Sequence, residues 1–352
     1  MTPLRIGYAP YSQALTQPGD RRRFVHWARA RGVQYELASP EREYDVVVIS
    51  NAADLTRWAR MPRGKLVFDF IDSYLAVPKT DWRGALRGTA KFLSRQHAHL
   101  EPSYWKTLEA VCRRADAVIC STEEQRADIS AFCANVHRIL DVHTAATAVI
   151  KSDYRAAEPF KFVWEGLPYT LPLLFGLAPV LARLPRRWEL HVVTNPSAPR
   201  FLGRFGRRDT VAELRAVFPS AVFHEWRDET FASTVTACDA ALIPLDLEDP
   251  FTRGKPENKL LLFWRVGMPV VTSASPAYAR AMEATGVPLT CRSPSDWAGA
   301  LERVMGDEAL RREAGTRGRQ FAESEHSEAK ILARWDAVFA SLGLNFQQVE
   351  GH

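Results

Sequence analysis

The chain has 352 residues, 46% hydrophobic and 25% charged, with a formal net charge of +5 and a sequence pI near 9.0. This composition excludes a disordered or fibrous protein, and the length is sufficient for two cores; no apolar run reaches the roughly 18 residues that a membrane span needs. The basic excess suits an anionic substrate or surface, but it is spread along the chain and not massed in one tail, so a nucleic-acid partner is not expected.

The N-terminal stretch passes directly into a strand-like run with no basic-then-apolar leader, which gives the expectation of a cytoplasmic protein. Cys112, Cys120, Cys133, Cys238 and Cys291 lack CxxC spacing. They read as buried free thiols and not as disulfides or a zinc site.

Strand-like and helical patterns alternate from the start, the signature of α/β architecture with parallel sheets. Strands are predicted at 4–8, 33–38, 45–50, 66–71, 117–121 and 137–140. Helices between them are predicted at 21–31, 53–60, 83–96, 104–114 and 123–132. Residues 1–150 thus read as one Rossmann-like domain. The polar stretch 151–159, ending in Pro159, reads as a linker. A second series follows: strand 160–164, helix 170–184, strand 189–194, helix 211–217, strand 221–225, helix 229–237 and strand 240–244. A further strand falls at 287–291, and from 295 the pattern is helical to about 341.

Between these last parts lies Arg253-Gly-Lys-Pro-Glu-Asn-Lys-Leu-Leu-Leu-Phe-Trp-Arg-Val-Gly-Met-Pro-Val-Val-Thr272. Pro256 suits the first turn of a helix, the helix stops at Gly267, and Pro269 opens a short buried strand. The backbone N–H groups of Glu257, Asn258 and Lys259, with the side chains of Arg253, Lys255 and Lys259, would then form an anion site at the helix start. A solvated basic loop explains the same residues.

Ligands of open α/β sheets sit beyond the carboxyl ends of the strands. After the fourth strand, Asp72 is placed where a general base would meet a hydroxyl, with Asp69 second; the alternative is that Asp72 caps a turn with Ser73. His97 and His99 read as helical, and two residues apart they cannot share a face. Gly166, after the first strand of the second series, would let backbone approach a phosphate.

The Pro-x-Asn-Lys-Leu start, the apolar helix and the Gly-x-Pro-Val-Val ending resemble the donor-site segment of GT-B glycosyltransferases. The resemblance implies two Rossmann-like parallel-sheet domains facing a cleft, with a donor domain at 160–325 and a C-terminal helix at 326–345 crossing back. It implies that Gly166, Asn195, Glu225, Trp226, Asp246, Arg253, Lys255, Glu257, Asn258 and Lys259 hold a nucleoside-diphosphate sugar, with UDP or GDP as the expected carrier. It places Ser12, Gln13, Asp20 and Arg21 on the acceptor side, where Arg21, Arg22 and Arg23 would suit a phosphorylated or carboxylated acceptor. A solvated helix face explains those arginines too.

Many retaining members carry two glutamates flanking the donor segment; here those positions are Gly254 and Leu262, which leaves the stereochemical outcome open. The resemblance implies no bound metal and no cofactor beyond the sugar nucleotide. The expected function is transfer of a sugar to a hydroxyl of a glycan or lipid-linked acceptor in surface polysaccharide or glycoconjugate synthesis. A sugar-nucleotide epimerase, a polyol-phosphate transferase and a non-catalytic two-lobed binding protein remain alternatives. Trp27, Trp58, Trp82 and Trp105, with the basic charge, suggest peripheral contact with an anionic membrane face.

Overall fold

The computed structural model describes residues 4–80, 82–143, 146–199 and 206–346. The chain divides into two compact units: Met1–Val142 with Gly254–Pro256 and Glu328–His352, and His143–Arg253 with Glu257–Ser327.

The first unit is built on a six-stranded parallel sheet ordered β2-β1-β3-β4-β5-β6. Its strands are β1 (Ile6–Ala9), β2 (Glu36–Leu37), β3 (Val46–Ser50), β4 (Lys65–Asp69), β5 (Ala117–Cys120) and β6 (Val136–Arg138). The central strand Val-Val-Val-Ile-Ser is buried along its whole length, as an unbroken apolar run in a parallel sheet covered on both faces must be. One face carries the helix Tyr104–Arg114. The other carries Phe24–Ala30 together with Glu328–Ser341, whose Ile331, Leu332, Trp335, Val338 and Phe339 join the core formed by β1 and β3. Trp27 stacks on Phe339 at 4.3 Å, and its indole N–H donates to Asp336 Oδ1 at 2.8 Å.

Trp27, Trp58 and Trp105 are therefore core residues, not exposed anchors, and the tryptophan argument for membrane contact falls with them. The side chain of Trp82 lies outside the described residues. The helix predicted over 21–31 is two pieces, Pro18–Arg21 and Phe24–Ala30, because Arg23 leaves helical geometry between them.

The second unit has its own six-stranded parallel sheet, ordered β11-β8-β7-β12-β13-β14. Its strands are β7 (Phe160–Glu165), β8 (Trp188–Thr194), β11 (Val222–Glu225), β12 (Ala240–Ile243), β13 (Val270–Ser273) and β14 (Thr290–Cys291). A short antiparallel ribbon of β9 (Ser197–Pro199) and β10 (Arg207–Asp209) follows β8 and is absent from the sequence expectation. The helix predicted over 170–184 is broken into Leu171–Phe175 and Ala178–Leu181. Pro179 explains the break, since it has no N–H to offer the Phe175 carbonyl one turn back.

The stretch read as a linker is anchored inside this unit: Lys151 Nζ donates to the carbonyls of Thr236 and Cys238 at 3.1 and 2.7 Å, and Tyr154 donates to that of Gly267 at 2.9 Å. All five cysteines are free and buried.

Candidate functional site

In the second unit the chain runs from β7 outward to β8 on one side and later to β12 on the other, so β7 and β12 flank the topological switch point, where such sheets take ligands. The helix Asn258–Arg265 packs behind these strands through Leu260, Leu261, Leu262, Phe263 and Trp264. It begins two residues later than expected. Pro256 precedes it, and Glu257 occupies the N-cap position without a side-chain capping bond. The amides of the helix's first turn are thus those of the residues from Asn258 onward, not that of Glu257.

Lys259 Nζ donates to the carbonyl of Glu165 at the end of β7 (2.7 Å) and lies 3.8 Å from the Glu165 carboxylate and 5.3 Å from the centre of the Trp164 ring. The cation is therefore held at the switch point. Buried Tyr278 lies near Glu257 and Glu165, and its hydroxyl is pushed well above the usual range by burial, then by those two carboxylates. Beyond β12, Ser273 Oγ accepts from the amide of Leu245 at 2.8 Å and donates to its carbonyl at 3.0 Å, which fixes the turn leading to exposed Asp246.

The other predicted donor residues are placed around the same carboxyl ends with local partners of their own. Gly166 follows β7, but its amide donates to the Val193 carbonyl at 3.2 Å, and a Cβ there would lie 2.5 Å from the Trp164 ring. Glycine is required by that ring, and the amide is not free to meet a phosphate. Glu225 is paired with Arg227, Trp226 stacks on Phe231 at 6.0 Å, and Asn195 and Arg253 are exposed.

In the first unit β1 and β3 flank the switch point. The loop after β1 is organised by Asp20, which is fully buried and accepts from Tyr8 Oη (2.7 Å), from the amides of Tyr11 (2.8 Å) and Ser12 (3.1 Å), and from Ser12 Oγ (3.3 Å). Asp20 and Ser12 are consumed by this loop rather than presented to a ligand; Gln13 is exposed and Arg21 partly buried.

Asp69 is also spent. Arg23 grips both its oxygens, with Nη2 at 2.6 Å from Oδ1 and Nε at 2.8 Å from Oδ2, and its Nη1 donates to Asp141 Oδ1 and the Ile139 carbonyl, each at 3.0 Å. Arg23 is a buried structural cation, so the expected three-arginine acceptor site reduces to Arg21 and Arg22.

Asp72 has different surroundings. Asn51, the residue after β3, donates from Nδ2 to Asp72 Oδ2 at 2.8 Å. Gln125 Nε2 donates to the carbonyls of Phe70 (2.6 Å) and Asp72 (3.0 Å), which locks the chain beyond β4. Burial is the main reason that the Asp72 carboxyl is held above the usual range, against the pull of Asn51, Lys255 and Arg87. The buried Tyr11 hydroxyl and Asn51 Oδ1 have no hydrogen-bond partner among the described residues. Lys255 belongs with Asp72 in this unit, where the Ser73 hydroxyl donates to the Gly254 carbonyl at 2.8 Å. The donor segment predicted as one piece is thereby divided, since Arg253, Glu257, Asn258 and Lys259 belong to the second unit.

No family model and no curated protein sequence matches the chain. Solved structures do match. Sucrose-phosphate synthase (tll1590) from Thermosynechococcus elongatus aligns with a TM-score of 0.60 at 14% identity, over 85% of this chain and 74% of that one. Anabaena Alr3699/HepE, in complex with UDP and glucose, gives 0.62 at 13% identity over 96% and 100%. WaaG, a glycosyltransferase involved in lipopolysaccharide biosynthesis, gives 0.58 at 13% over 96% and 100%. The chain has the GT-B fold.

Within this GT-B fold the sequence reading missed Asn51, Gln125, Glu165 and Tyr278. Asn51 was within reach of the rule that found Asp72, because it directly follows a predicted strand. Gln125 had no such signal, lying inside a helix whose buried face only the tertiary fold defines.

Proposed function

We propose that the protein is a glycosyltransferase that moves a sugar from a nucleoside-diphosphate sugar to a hydroxyl of a glycan or lipid-linked acceptor, in surface polysaccharide or glycoconjugate synthesis. The second unit takes the donor and the first the acceptor. Lys259 at the switch point of the second sheet carries this reading: a cation and the uncapped start of an eight-residue helix stand together where a diphosphate would lie. A uridine donor is favoured, since UDP occupies Anabaena Alr3699/HepE.

Asp72 acts as the base. As the acceptor oxygen forms a bond to the sugar carbon, its proton passes to Asp72, and the bond from that carbon to the diphosphate breaks, its electron pair leaving with the β-phosphate. Asn51 orients the carboxylate, and burial, by raising its proton affinity, makes it a stronger base. Lys259 and the helix start stabilise the charge on the departing diphosphate.

The test is a thermal-shift and turnover series with UDP-, GDP-, CDP- and ADP-sugars on wild type and Lys259→Ala. A ligand near a hundred times its dissociation constant stabilises by about 2.7 kcal/mol. One nucleotide stabilising wild type but not the variant is expected. No stabilisation by any of them overturns the reading, and turnover without acceptor would identify an epimerase instead.

A further inference from the structure

The helix Trp82–Leu93 of the first unit carries Arg87 and Lys91 one turn apart, on the same face. Like charges so placed repel each other, and neither has a carboxylate within 4 Å among the described residues. Both are instead laid over aromatic rings. The Arg87 guanidinium is 4.4 Å from the centre of the Tyr74 ring and 5.0 Å from that of Tyr104, and Lys91 Nζ is 4.8 Å from that of Tyr104. Arg87 Nη2 donates to Tyr74 Oη at 2.7 Å, which fixes the guanidinium.

Beneath them lies His97. The chain leaves the helix through Arg95, a non-glycine residue with φ 60°, and the amides of Gln96 and His97 both return to the Lys91 carbonyl, at 2.9 and 3.1 Å. The His97 ring is thereby folded inward, 2% exposed, and runs nearly parallel to Tyr104 at 6.3 Å. Neither of its nitrogens has a hydrogen-bond partner among the described residues. A buried imidazole with both nitrogens unsatisfied is costly unless something bonds it. Asp54 is the carboxylate whose charge acts on both Lys91 and His97, but it already accepts from Thr56 Oγ1 and the amides of Thr56, Arg57 and Ala98. Asp72 acts on Tyr74 and Tyr104 and feels Arg87, so the cluster adjoins the proposed base.

We propose that Arg87, Lys91 and His97 form a phosphate-binding subsite on the first unit, so that this protein takes a ligand bearing a phosphate ester. The planar guanidinium offers paired donors to two phosphate oxygens, the ammonium a point charge, and the imidazole an N–H. Two cations match the near-dianionic charge of a phosphate monoester better than that of a single carboxylate. Desolvation holds the His97 ring down at about 4, which keeps it neutral and a hydrogen-bond donor near neutral pH. Assigning the bound molecule as the acceptor rests on the transferase reading; the existence of the subsite does not. Phosphate on a soluble glycan and phosphate beneath a lipid share this chemistry. Leu86, Leu93 and Leu100, each more than half exposed, lie on the same helix and the turn that follows it.

The test is calorimetric binding of glycerol 3-phosphate and of vesicles with and without phosphatidic acid, to wild type, Arg87→Gln, Lys91→Gln, His97→Phe and Lys259→Ala. The expected result is binding of one or both phosphate probes that weakens about ten-fold or more, roughly 1.4 kcal/mol, in each first-unit variant but survives in Lys259→Ala. UDP binding should show the opposite pattern, and urea unfolding of the first-unit variants verifies that they are folded. Dependence on the three residues with the soluble ester supports a soluble phosphate-bearing ligand; the same dependence with vesicles alone supports a lipid-borne one. Failure of both probes to bind, or binding unchanged in folded variants, overturns the subsite. Loss of UDP binding by every protein including wild type would instead sink the transferase reading.

Discussion

Arg23 and Asp69, 46 residues apart in the chain, form a two-pronged ion pair with both side chains essentially excluded from solvent. The pair ties the residue that precedes the helix Phe24–Ala30 to the carboxyl end of β4 and removes Asp69 from the set of groups able to move a proton. Arg23→Ala leaves the buried Asp69 carboxylate with neither water nor its cation and should lose about 3–5 kcal/mol of first-unit stability; Asp69→Asn, which leaves Arg23 its contact with Asp141, should lose less. Urea unfolding of each variant checks this, and a well-packed Arg23→Met, Asp69→Leu double variant should recover much of the loss.

Asp72→Asn should cut transfer by about 10²–10⁴-fold while leaving UDP affinity intact, as read by steady-state kinetics beside calorimetry. The same substitution has a stability consequence. Burial raises the folded-state proton affinity of Asp72, so the folded chain holds this proton more tightly than the unfolded chain. Its contribution is then fully present below the unfolded value and is lost as pH rises through the raised folded value. Asp72→Asn should therefore melt above wild type at neutral pH, with the advantage shrinking in acid, as melting curves across that window would show.

Lys91 is held down to about 8, first by desolvation and then by Arg87, with Asp54 opposing; Tyr104 and His97 are the other groups that face it. Phosphate-ester binding should weaken as pH rises through that value. A calorimetric pH series would show the decline in wild type and a flatter profile in Lys91→Gln.

Gly166→Ala should destabilise the second unit by about 1–3 kcal/mol, because the new methyl would meet the Trp164 ring and Thr170 Oγ1. If the glycine instead served the donor, the same variant would lose UDP affinity at unchanged melting temperature. The two measurements separate these outcomes.

Gly318→Ala places a methyl 2.3 Å from the Trp264 ring, and Gly315→Ala one 2.3 Å from the Gly267 carbonyl. These glycines let the helix Glu308–Glu325 press against Asn258–Arg265. Either substitution should displace the helix Asn258–Arg265, lowering UDP affinity together with thermal stability, whereas Gly299→Ala, in the exposed interior of the helix Pro294–Gly306 with open space around it, should leave UDP affinity unchanged and raise stability by about 0.5–1 kcal/mol.

The alternation of strand and helix was legible because buried parallel strands are short apolar runs between amphipathic segments. Val46–Ser50 and Tyr104–Arg114 are examples. The ending at Gly267 was legible too, since φ +74° is a conformation that glycine adopts without penalty. What the sequence withheld were partners. Arg23 with Asp141, and Lys259 with Glu165, are 118 and 94 residues apart, and which cation meets which carboxylate depends on tertiary closure. Arg21, Arg22 and Arg23 look equivalent in a row, yet the break in the helix turns Arg23 inward.

The first unit draws its core from both ends of the chain, with Trp335 and Phe339 packed on Phe24 and Trp27. During synthesis those aromatics wait some three hundred residues for their covering helix, while His143–Arg253 and Glu257–Ser327, the whole of the second unit, emerge before it. The unit made first is thus completed last, and a ribosome stalled anywhere before Glu328 would leave a half-built apolar face for chaperones to shield.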